Sequence, residues 1–253
     1  MMVFLALLIA HLLGDFVFQR SSVVEGKHQG RWLAWTEHGA VHLICLVVVW
    51  LLFSPLPLLE GRVGFAFVLI VTTHLAADWV KVRWGGACPL ATFILDQVFH
   101  VLVLLAVALW LLGNPEIPVR IVTHWTEYQV QAGLLLAGYL LAIFACGWLN
   151  RQLLDSLYPA PGSDEDGDDS DGLAKAGLLI GWLERFLMLS AFLVQAWAAL
   201  GLVLAAKSVF RFEDIRKGRR HAEYFLIGTL ISVVQVVIVG VALLALLGTM
   251  ESS

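Results

Sequence analysis

The sequence MVFLALLIAHLLGDFVF, residues 2–18, decides the class of fold. It is an apolar run in which His11 and Asp15 are the only ionisable side chains. A second apolar run carries the same pair at the same spacing, in HLAAD at residues 74–78. Residues four apart share one face of a helix, and ionisable side chains are costly at membrane depth. The repeated pair therefore predicts helices that hold a polar site within a membrane.

Composition places the chain among membrane proteins. Hydrophobic residues make up 60% of the 253 residues and charged residues only 14%. Average soluble domains carry about 25% charged residues. Because helices satisfy their own backbone hydrogen bonds in lipid, we predict an all-α polytopic membrane helix bundle. The net charge of −4 is small and spread over the links, so we expect no binding to nucleic acid.

Seven apolar segments approach or exceed the length of about 20 residues that a helix needs to cross a bilayer. They cover about residues 2–18, 38–56, 63–80, 90–112, 128–149, 180–206 and 224–247. The first lacks a basic leader and a small-residue cleavage pattern, so we expect a retained helix and not a signal peptide. The link at about 159–174 is acidic, and the link at about 207–221 is basic.

Residues 1–112 are predicted to form a four-helix membrane unit, built as a tandem repeat of two helical hairpins. Each hairpin has a His-x-x-x-Asp pair late in its first helix and a second ionisable pair early in its second helix. Two parallel repeats of this kind are related by an axis along the membrane normal, where their polar faces would meet. Residues 113–253 are predicted to add three further membrane helices.

Lysine and arginine counts in the links bear on orientation through the positive-inside rule. Odd-numbered links carry seven of these residues and even-numbered links carry eight. The density of basic residues in the sixth link, at about 207–221, favours the even-numbered links in the cytoplasm. The odd-numbered links would then lie outside.

Eight ionisable residues fall on one membrane side, at similar depth, in any alternating topology. Two pairs come late in the first and third spans, and two pairs come early in the second and fourth. The pairs are His11 with Asp15, His38 with His42, His74 with Asp78, and Asp96 with His100. Chance placement would scatter ionisable residues over both sides, so we predict that these eight form one cluster.

The residue types of the cluster suit divalent metal ions. Imidazole and carboxylate groups are ligands of zinc, manganese and iron, and an i, i+4 pair can give two ligands to one ion. Five His and three Asp could hold two ions, an arrangement that activates water and stabilises a leaving oxygen in phosphoester hydrolysis. The same residues could instead form a proton relay, or could simply pair across helices.

Several cations on the same side could contact an anionic substrate. Lys81 lies one turn after Asp78 and is predicted to neutralise a phosphate during catalysis. Arg20 and Arg83 could do likewise. The adjacent Glu184 and Arg185 come from the sixth span, where Glu184 is a catalytic candidate. Arg185 is either a substrate contact or a snorkelling residue at a helix end.

Three motifs carry a family resemblance: LLIAHLLGDFVFQ at residues 7–19, THLAADWVK at 73–81 and ILDQVFH at 94–100. They resemble a bacterial integral-membrane family catalogued as domain of unknown function 3307. The resemblance covers about residues 3–105, and the second half looks like longer members of that family. It implies a membrane protein and places Gln19 and Gln97 within the motifs, beside the ligand candidates. A looser likeness, in residue types alone, connects the His and Asp helices with membrane-bound metal-dependent hydrolases.

The sequence thus predicts a multi-pass protein of the bacterial inner membrane and leaves three hypotheses about its function. The first is a metal-dependent hydrolase acting on a membrane-associated phosphoester or a lipid-like substrate. The second is a transporter or proton-coupled channel that uses the same His and Asp residues as a relay. The third is a membrane scaffold that recruits a partner through the basic link. Metal analysis of the purified protein separates the first hypothesis from the other two.

Overall fold

A computed structural model describes residues 2–54, 56–85, 89–113, 127–157, 170–210 and 219–251. These residues are helical apart from short turns, and none of them belongs to a strand. The predicted all-α bundle is therefore confirmed. Residues 158–169 of the acidic link and residues 211–218 of the basic link lie outside the described ranges.

Ten α-helices are defined within the described residues. They are α1 (Met2–Leu12), α2 (Ser21–His28), α3 (Trp32–Phe53), α4 (Gly61–Trp84), α5 (Pro89–Leu112), α6 (Glu127–Leu140), α7 (Cys146–Leu157), α8 (Ser170–Leu193), α9 (Trp197–Phe210) and α10 (Arg219–Glu251). Local chemistry marks several of these ends. α5 begins at Pro89, which lacks a backbone N–H and suits the first turn of a helix. α4 ends at Trp84, immediately before Gly85.

The chain divides into two compact units, Met1–Ala137 and Gly138–Ser253. The sequence places the division earlier, after residue 112. The difference arises because the first half of α6 packs onto the first unit. At Gly133 in α6, an added Cβ would lie only 2.8 Å from Leu5 Cδ2.

Six of the described helical segments are long and apolar enough to cross a membrane, and the bent pair α1 with α2 makes a seventh candidate. The segments are α3, α4, α5, Tyr128–Ser156 through α6 and α7, Ala176–Leu193 in α8, and Glu223–Thr249 in α10. The chain is thus a multi-pass membrane protein, in agreement with the predicted number of spans.

The chain turns sharply after the first apolar run. Leu13–Val17 form a π-helical turn at the end of α1, and α2 follows after a bend of 82°. The sequence treats this stretch as a link, but α2 packs on α3 and buries Val23 and Lys27. Its inner face is therefore part of the interior of the first unit.

In the first unit, α1 packs against α3 and α5, and α4 packs against the same two helices. The four helices surround a core that includes Leu7, Leu46 and Leu104, which are at most 2% exposed. Their outer faces carry exposed apolar side chains such as Leu51 and Leu109. Such a surface suits contact with lipid acyl chains, and the interior is left for the polar pairs.

The predicted sixth span, residues 180–206, is not one helix. α8 ends at Leu193, Gln195 has a positive φ of 56°, and α9 begins at Trp197. Lys207, near the end of α9, lies 2.5 Å from Glu184 of α8, so α9 runs back along α8. The prediction was wrong here because the helices on both sides of the turn are apolar. Mean hydropathy over the length of a span does not detect a break of only three residues. The C-terminal end of α9 therefore lies towards the end of the second unit where α8 begins.

Candidate metal centre

All eight predicted ligands lie in the first unit, and the structure brings their side chains together in its interior. Each of α1, α3, α4 and α5 contributes one pair, with Asp15 placed in the π-helical turn that follows α1. The seven others are buried residues, and the Asp15 side chain is only 7% exposed. Because the helices are otherwise apolar, these ionisable groups are surrounded mainly by one another.

The Asp15 carboxylate is the centre of the first group. Its Oδ1 atom lies 3.0 Å from His42 Nε2, 3.2 Å from His74 Nε2 and 3.4 Å from His38 Nε2. His11 Nε2 is 3.8 Å from the other oxygen, Oδ2. One ligand atom each from His11, Asp15, His42 and His74 falls within 4.8 Å of the others.

These separations fit the ligand shell of a small divalent ion. In a tetrahedral zinc site with bonds of about 2.0–2.1 Å, the ligand atoms lie about 3.3 Å apart. The Asp15 oxygen and its imidazole neighbours have separations of 3.0–3.4 Å. His38 Nε2 and His74 Nε2 are 2.9 Å apart, which brings a further imidazole to the same place. Three helices and the π-helical turn thus converge on one point.

Gly14 allows α1 and α3 to approach closely at this point. An added Cβ would lie 2.5–2.8 Å from three ring atoms of His42, which is closer than a side-chain carbon can come. The π-helical turn that contains Gly14 widens the backbone locally, a feature that is frequent at functional sites. The His42 imidazole therefore rests directly on the backbone beside Asp15.

Gly14→Ala is expected to displace the His42 ring, to lower the free energy of unfolding by about 1–3 kcal/mol and to weaken metal binding, because the site has no space for a methyl group. Gly64→Ala is the matched control, since an added Cβ at Gly64 has no atom within 4 Å. It is expected to be neutral, or stabilising by up to about 1 kcal/mol, as alanine is the better helix former. Thermal unfolding and metal titration in one detergent compare them. Equal effects of the two variants would contradict this account of Gly14.

A second group joins the first through His74. His38 Nε2 lies 3.3 Å from Asp78 Oδ2, and His74 Nε2 lies 3.9 Å from the same oxygen. Both oxygens of Asp78 are already paired with ammonium groups. Lys27 contacts Oδ2, and Lys81 Nζ lies 2.5 Å from Oδ1. The lysines thus occupy the side of Asp78 where a second metal ion would have to bind.

Lys27 is the residue of this cluster that the sequence does not indicate. It lies in the polar α2 segment and is only 4% exposed, and its ammonium group contacts Trp35 as well as Asp78. The Gln19 amide oxygen accepts a hydrogen bond from Lys27 Nζ at 3.0 Å, and in the same orientation its amide nitrogen donates to the Asp15 carbonyl at 3.2 Å. The available signal is that Val23 and Lys27 are four residues apart, so both can face the interior.

Asp78, Asp96 and His100 form the third group. Lys81 Nζ bridges the two carboxylates, at 2.7 Å from Asp96 Oδ2. Asp96 Oδ1 and His100 Nε2 are 3.2 Å apart and buried, yet neither makes an aligned hydrogen bond. This group therefore retains two ligand-type atoms whose described contact is with each other, next to a lysine that already balances the carboxylates.

Comparison with known proteins agrees with the motifs. Residues 3–126 match the family described as protein of unknown function (DUF3307). The chain carries a DUF3307 domain. The match includes α1–α5 and therefore all eight clustered residues. No curated protein and no solved structure shows significant similarity to the chain.

The other residues predicted in the DUF3307 domain differ in their positions. Gln97 belongs to the cluster, because its amide oxygen lies 3.3 Å from His11 Nε2 and its amide nitrogen lies 3.2 Å from Asp96 Oδ2. Arg20 and Arg83 are exposed and lie outside the buried cluster. Their contact with a substrate stays a prediction.

Glu184 and Arg185 belong to the second unit and make their described contacts there. Glu184 pairs with Lys207 of α9. Arg185 is 7% exposed and donates from Nε to the Ile143 carbonyl at 3.0 Å. It does not extend to water as a snorkelling side chain would. The catalytic role of Glu184 stays a prediction.

Proposed function

We propose that the DUF3307 domain is a metal-dependent hydrolase of membrane-associated phosphoesters. The observation that carries the proposal is the first group, in which three imidazoles from two helices, α3 and α4, surround one Asp15 oxygen at 3.0–3.4 Å. No described lysine pairs with Asp15, in contrast to Asp78 and Asp96. One ion in this group is the arrangement that the contacts favour, and zinc, manganese and iron are the candidates.

Charge balance supports an ion together with an anionic substrate. The described cluster holds three carboxylates and two ammonium groups, so neutral imidazoles leave one negative charge. A divalent cation would reverse this to one positive charge. Uncompensated charge is costly at membrane depth, and an anionic phosphate oxygen would neutralise it.

A groove beside the cluster supports a lipid-like substrate. It has a volume of about 460 Å³, lies between α4 and α5, and has mostly apolar walls. Its lining residues are Thr73, Ala76, Ala77, Val80, Lys81, Thr92, Leu95, Asp96 and Phe99. An acyl chain fits such walls, and a headgroup phosphate would meet the Lys81 ammonium group.

Lys81 is the group of the cluster best placed to contact such a phosphate. Its side chain is 33% exposed, whereas the clustered carboxylates are at most 7% exposed. Asp78 and Asp96 hold its ammonium group at 2.5 and 2.7 Å. A bound divalent ion would supply Lewis-acid activation of the phosphoryl group. Lys81 would orient the phosphate and balance charge as the leaving oxygen departs.

The test is hydrolysis by the purified protein in lipid nanodiscs. After chelation we expect no turnover of a lipid phosphomonoester such as phosphatidic acid, and recovery on adding back zinc, manganese or iron. Lys81→Met is expected to lower kcat by about 10²–10³ while metal content is retained, as on removal of one transition-state contact. Arg31→Met, an exposed cation immediately before α3, is the control. Stoichiometric metal without hydrolysis of phosphomonoester or phosphodiester lipids would refute the proposal.

A proton or ion pathway is the second candidate function. Buried contacts run without interruption from His11 through Asp15 and His38 to Asp78 and Lys81. Separations near 3 Å also suit hydrogen bonds between imidazole and carboxylate, as a proton relay requires. Proton flux into liposomes that Asp78→Asn abolishes, in protein free of metal, would favour this pathway over hydrolysis.

The predicted scaffold role depends on a basic link whose residues 211–218 lie outside the described ranges, and it stays a prediction. We retain the bacterial inner membrane as the proposed location. The lipid bilayer is then both the surroundings of the apolar outer faces and the source of the proposed substrate.

A further inference from the structure

The second unit contains a polar pocket that the proposed hydrolase does not use. It has a volume of about 200 Å³ and lies among α7, α8, α9 and α10. Its polar lining includes Asn150, Glu184, Arg185, Lys207, Tyr224 and Ser232. α8 and α10 contribute residues from the first halves of their membrane segments, so the pocket lies towards one end of the unit.

Arg185 is the principal charge of this pocket. It is 7% exposed, and its Nε atom donates to the Ile143 carbonyl in the π-helical turn Leu141–Ala145. No carboxylate among the described residues forms an ion pair with it. A guanidinium group carries five N–H donors in a planar fork that matches phosphate and carboxylate oxygens. The remaining donors are thus available to an anion.

Two glycines, Gly147 and Gly181, lie next to the guanidinium group. An added Cβ at Gly147 of α7 would lie 2.4 Å from Arg185 Nη2, and one at Gly181 of α8 would lie 3.4 Å from the same atom. A side chain at Gly147 would displace the guanidinium group, whereas a Cβ at Gly181 would be in ordinary van der Waals contact with it. The helices are therefore shaped to hold the Arg185 fork in place, which lowers the entropy lost when an anion binds.

Asn150 supplies a hydrogen-bond acceptor, which complements the donors of Arg185. Its Nδ2 atom donates to the Gly228 carbonyl at 3.0 Å and to Ser232 Oγ at 2.9 Å. The residue is only 8% exposed, and its Oδ1 atom is buried without a hydrogen-bond partner. A buried acceptor left unpaired costs about 1–3 kcal/mol, so a ligand that brings a donor to it is favoured.

Glu184 and Lys207 line the same pocket and are 2.5 Å apart. Because they neutralise each other, the described lining keeps the single positive charge of Arg185. Substitutions in the Glu184–Lys207 pair therefore change the electrostatic potential at the guanidinium group while Arg185 itself is kept.

We propose that this pocket binds a phosphate group that carries a neighbouring hydrogen-bond donor. Arg185 holds the phosphate oxygens, and Asn150 Oδ1 accepts from the hydroxyl or ammonium group. The headgroups of phosphatidylglycerol and phosphatidylethanolamine have this chemistry, and free dihydrogen phosphate offers a smaller version of it. The site belongs to the second unit and does not rest on the proposed hydrolase.

The test is titration of the full chain, in an uncharged detergent, with short-chain phosphatidylglycerol and separately with inorganic phosphate. Binding of the lipid alone identifies a headgroup site, and binding of phosphate with equal or higher affinity identifies a free-phosphate site. Arg185→Gln is expected to weaken either by at least tenfold. Arg151→Gln, the same change at an exposed position of α7 that does not line the pocket, is expected to leave affinity unchanged.

Glu184→Gln and Lys207→Gln keep the proposal falsifiable if Arg185→Gln does not fold. Glu184→Gln frees the Lys207 ammonium and is expected to strengthen binding several-fold. Lys207→Gln leaves the Glu184 carboxylate unpaired and is expected to weaken binding by a similar factor. Absence of binding to both probes, or shifts of the same sign in these two variants, would overturn the proposal.

Discussion

His74→Ala is expected to weaken divalent-metal binding by at least about 100-fold. Removing a residue that only hydrogen-bonds to a metal ligand typically lowers metal affinity by about 10–100-fold, and loss of a ligand itself should cost more. His74 is shared by the two imidazole groups, through contacts with Asp15 at 3.2 Å and with His38 at 2.9 Å. Its removal takes an imidazole from both groups at once. Metal content after dialysis against limiting zinc, manganese or iron measures the change.

His28→Ala is the matched control for this prediction. His28 ends α2, close in sequence to the buried Lys27, but is itself exposed. It should bind metal as wild type does. Equal metal content in wild type and in both variants would contradict the role of His74 as a ligand. No metal in any of them would remove the metal hypothesis and leave the relay as the candidate function.

Lys27→Met is expected to lower the free energy of unfolding by about 3 kcal/mol, the lower end of the cost of breaking a buried ion pair at one partner. Asp78 is 2% exposed and would lose one of its two ammonium partners. The value falls at the lower end because Lys81 still contacts the carboxylate. Reversible unfolding in mixed micelles, at constant lipid content, gives the measurement.

The double variant Lys27→Met with Asp78→Asn distinguishes charge from packing. It removes both members of the pair, and Lys81 keeps its contact with Asp96, so the double variant is expected to recover most of the lost stability. Arg83→Met removes an exposed cation from α4 and is expected to change stability by less than about 0.5 kcal/mol. A double variant as unstable as Lys27→Met would show that the lysine acts through packing.

The spacing of ionisable residues was sufficient to predict the cluster. His11, His74 and their carboxylate partners stand out because polar residues are rare in apolar spans, and a spacing of four keeps each pair on one face. Helices that alternate in direction then bring pairs at similar depth to one level. The structure brings side chains of different pairs within 2.9–3.4 Å of one another, which periodicity cannot specify.

Features that depend on tertiary packing could not be predicted in this way. Lys27 lies in a polar segment, where a buried and a solvated lysine look alike in sequence. Gly14 has meaning only through its distance from His42. The turn at Gln195 joins two apolar helices, and hydropathy averages over a break of that length.

The α8–α9 turn also bears on which end of the second unit is translocated. Since α9 runs back along α8, the C-terminal end of α9 lies towards the end of the unit where α8 begins. Lys207 lines the pocket at that end, and the sequence of residues 207–220 contains six lysines and arginines, whereas residues 194–196 contain none. The positive-inside rule then predicts that this end lies in the cytoplasm and the turn outside. A membrane-impermeant thiol reagent applied from outside should label Val194→Cys and spare Ser156→Cys, and the reverse pattern would exclude this orientation.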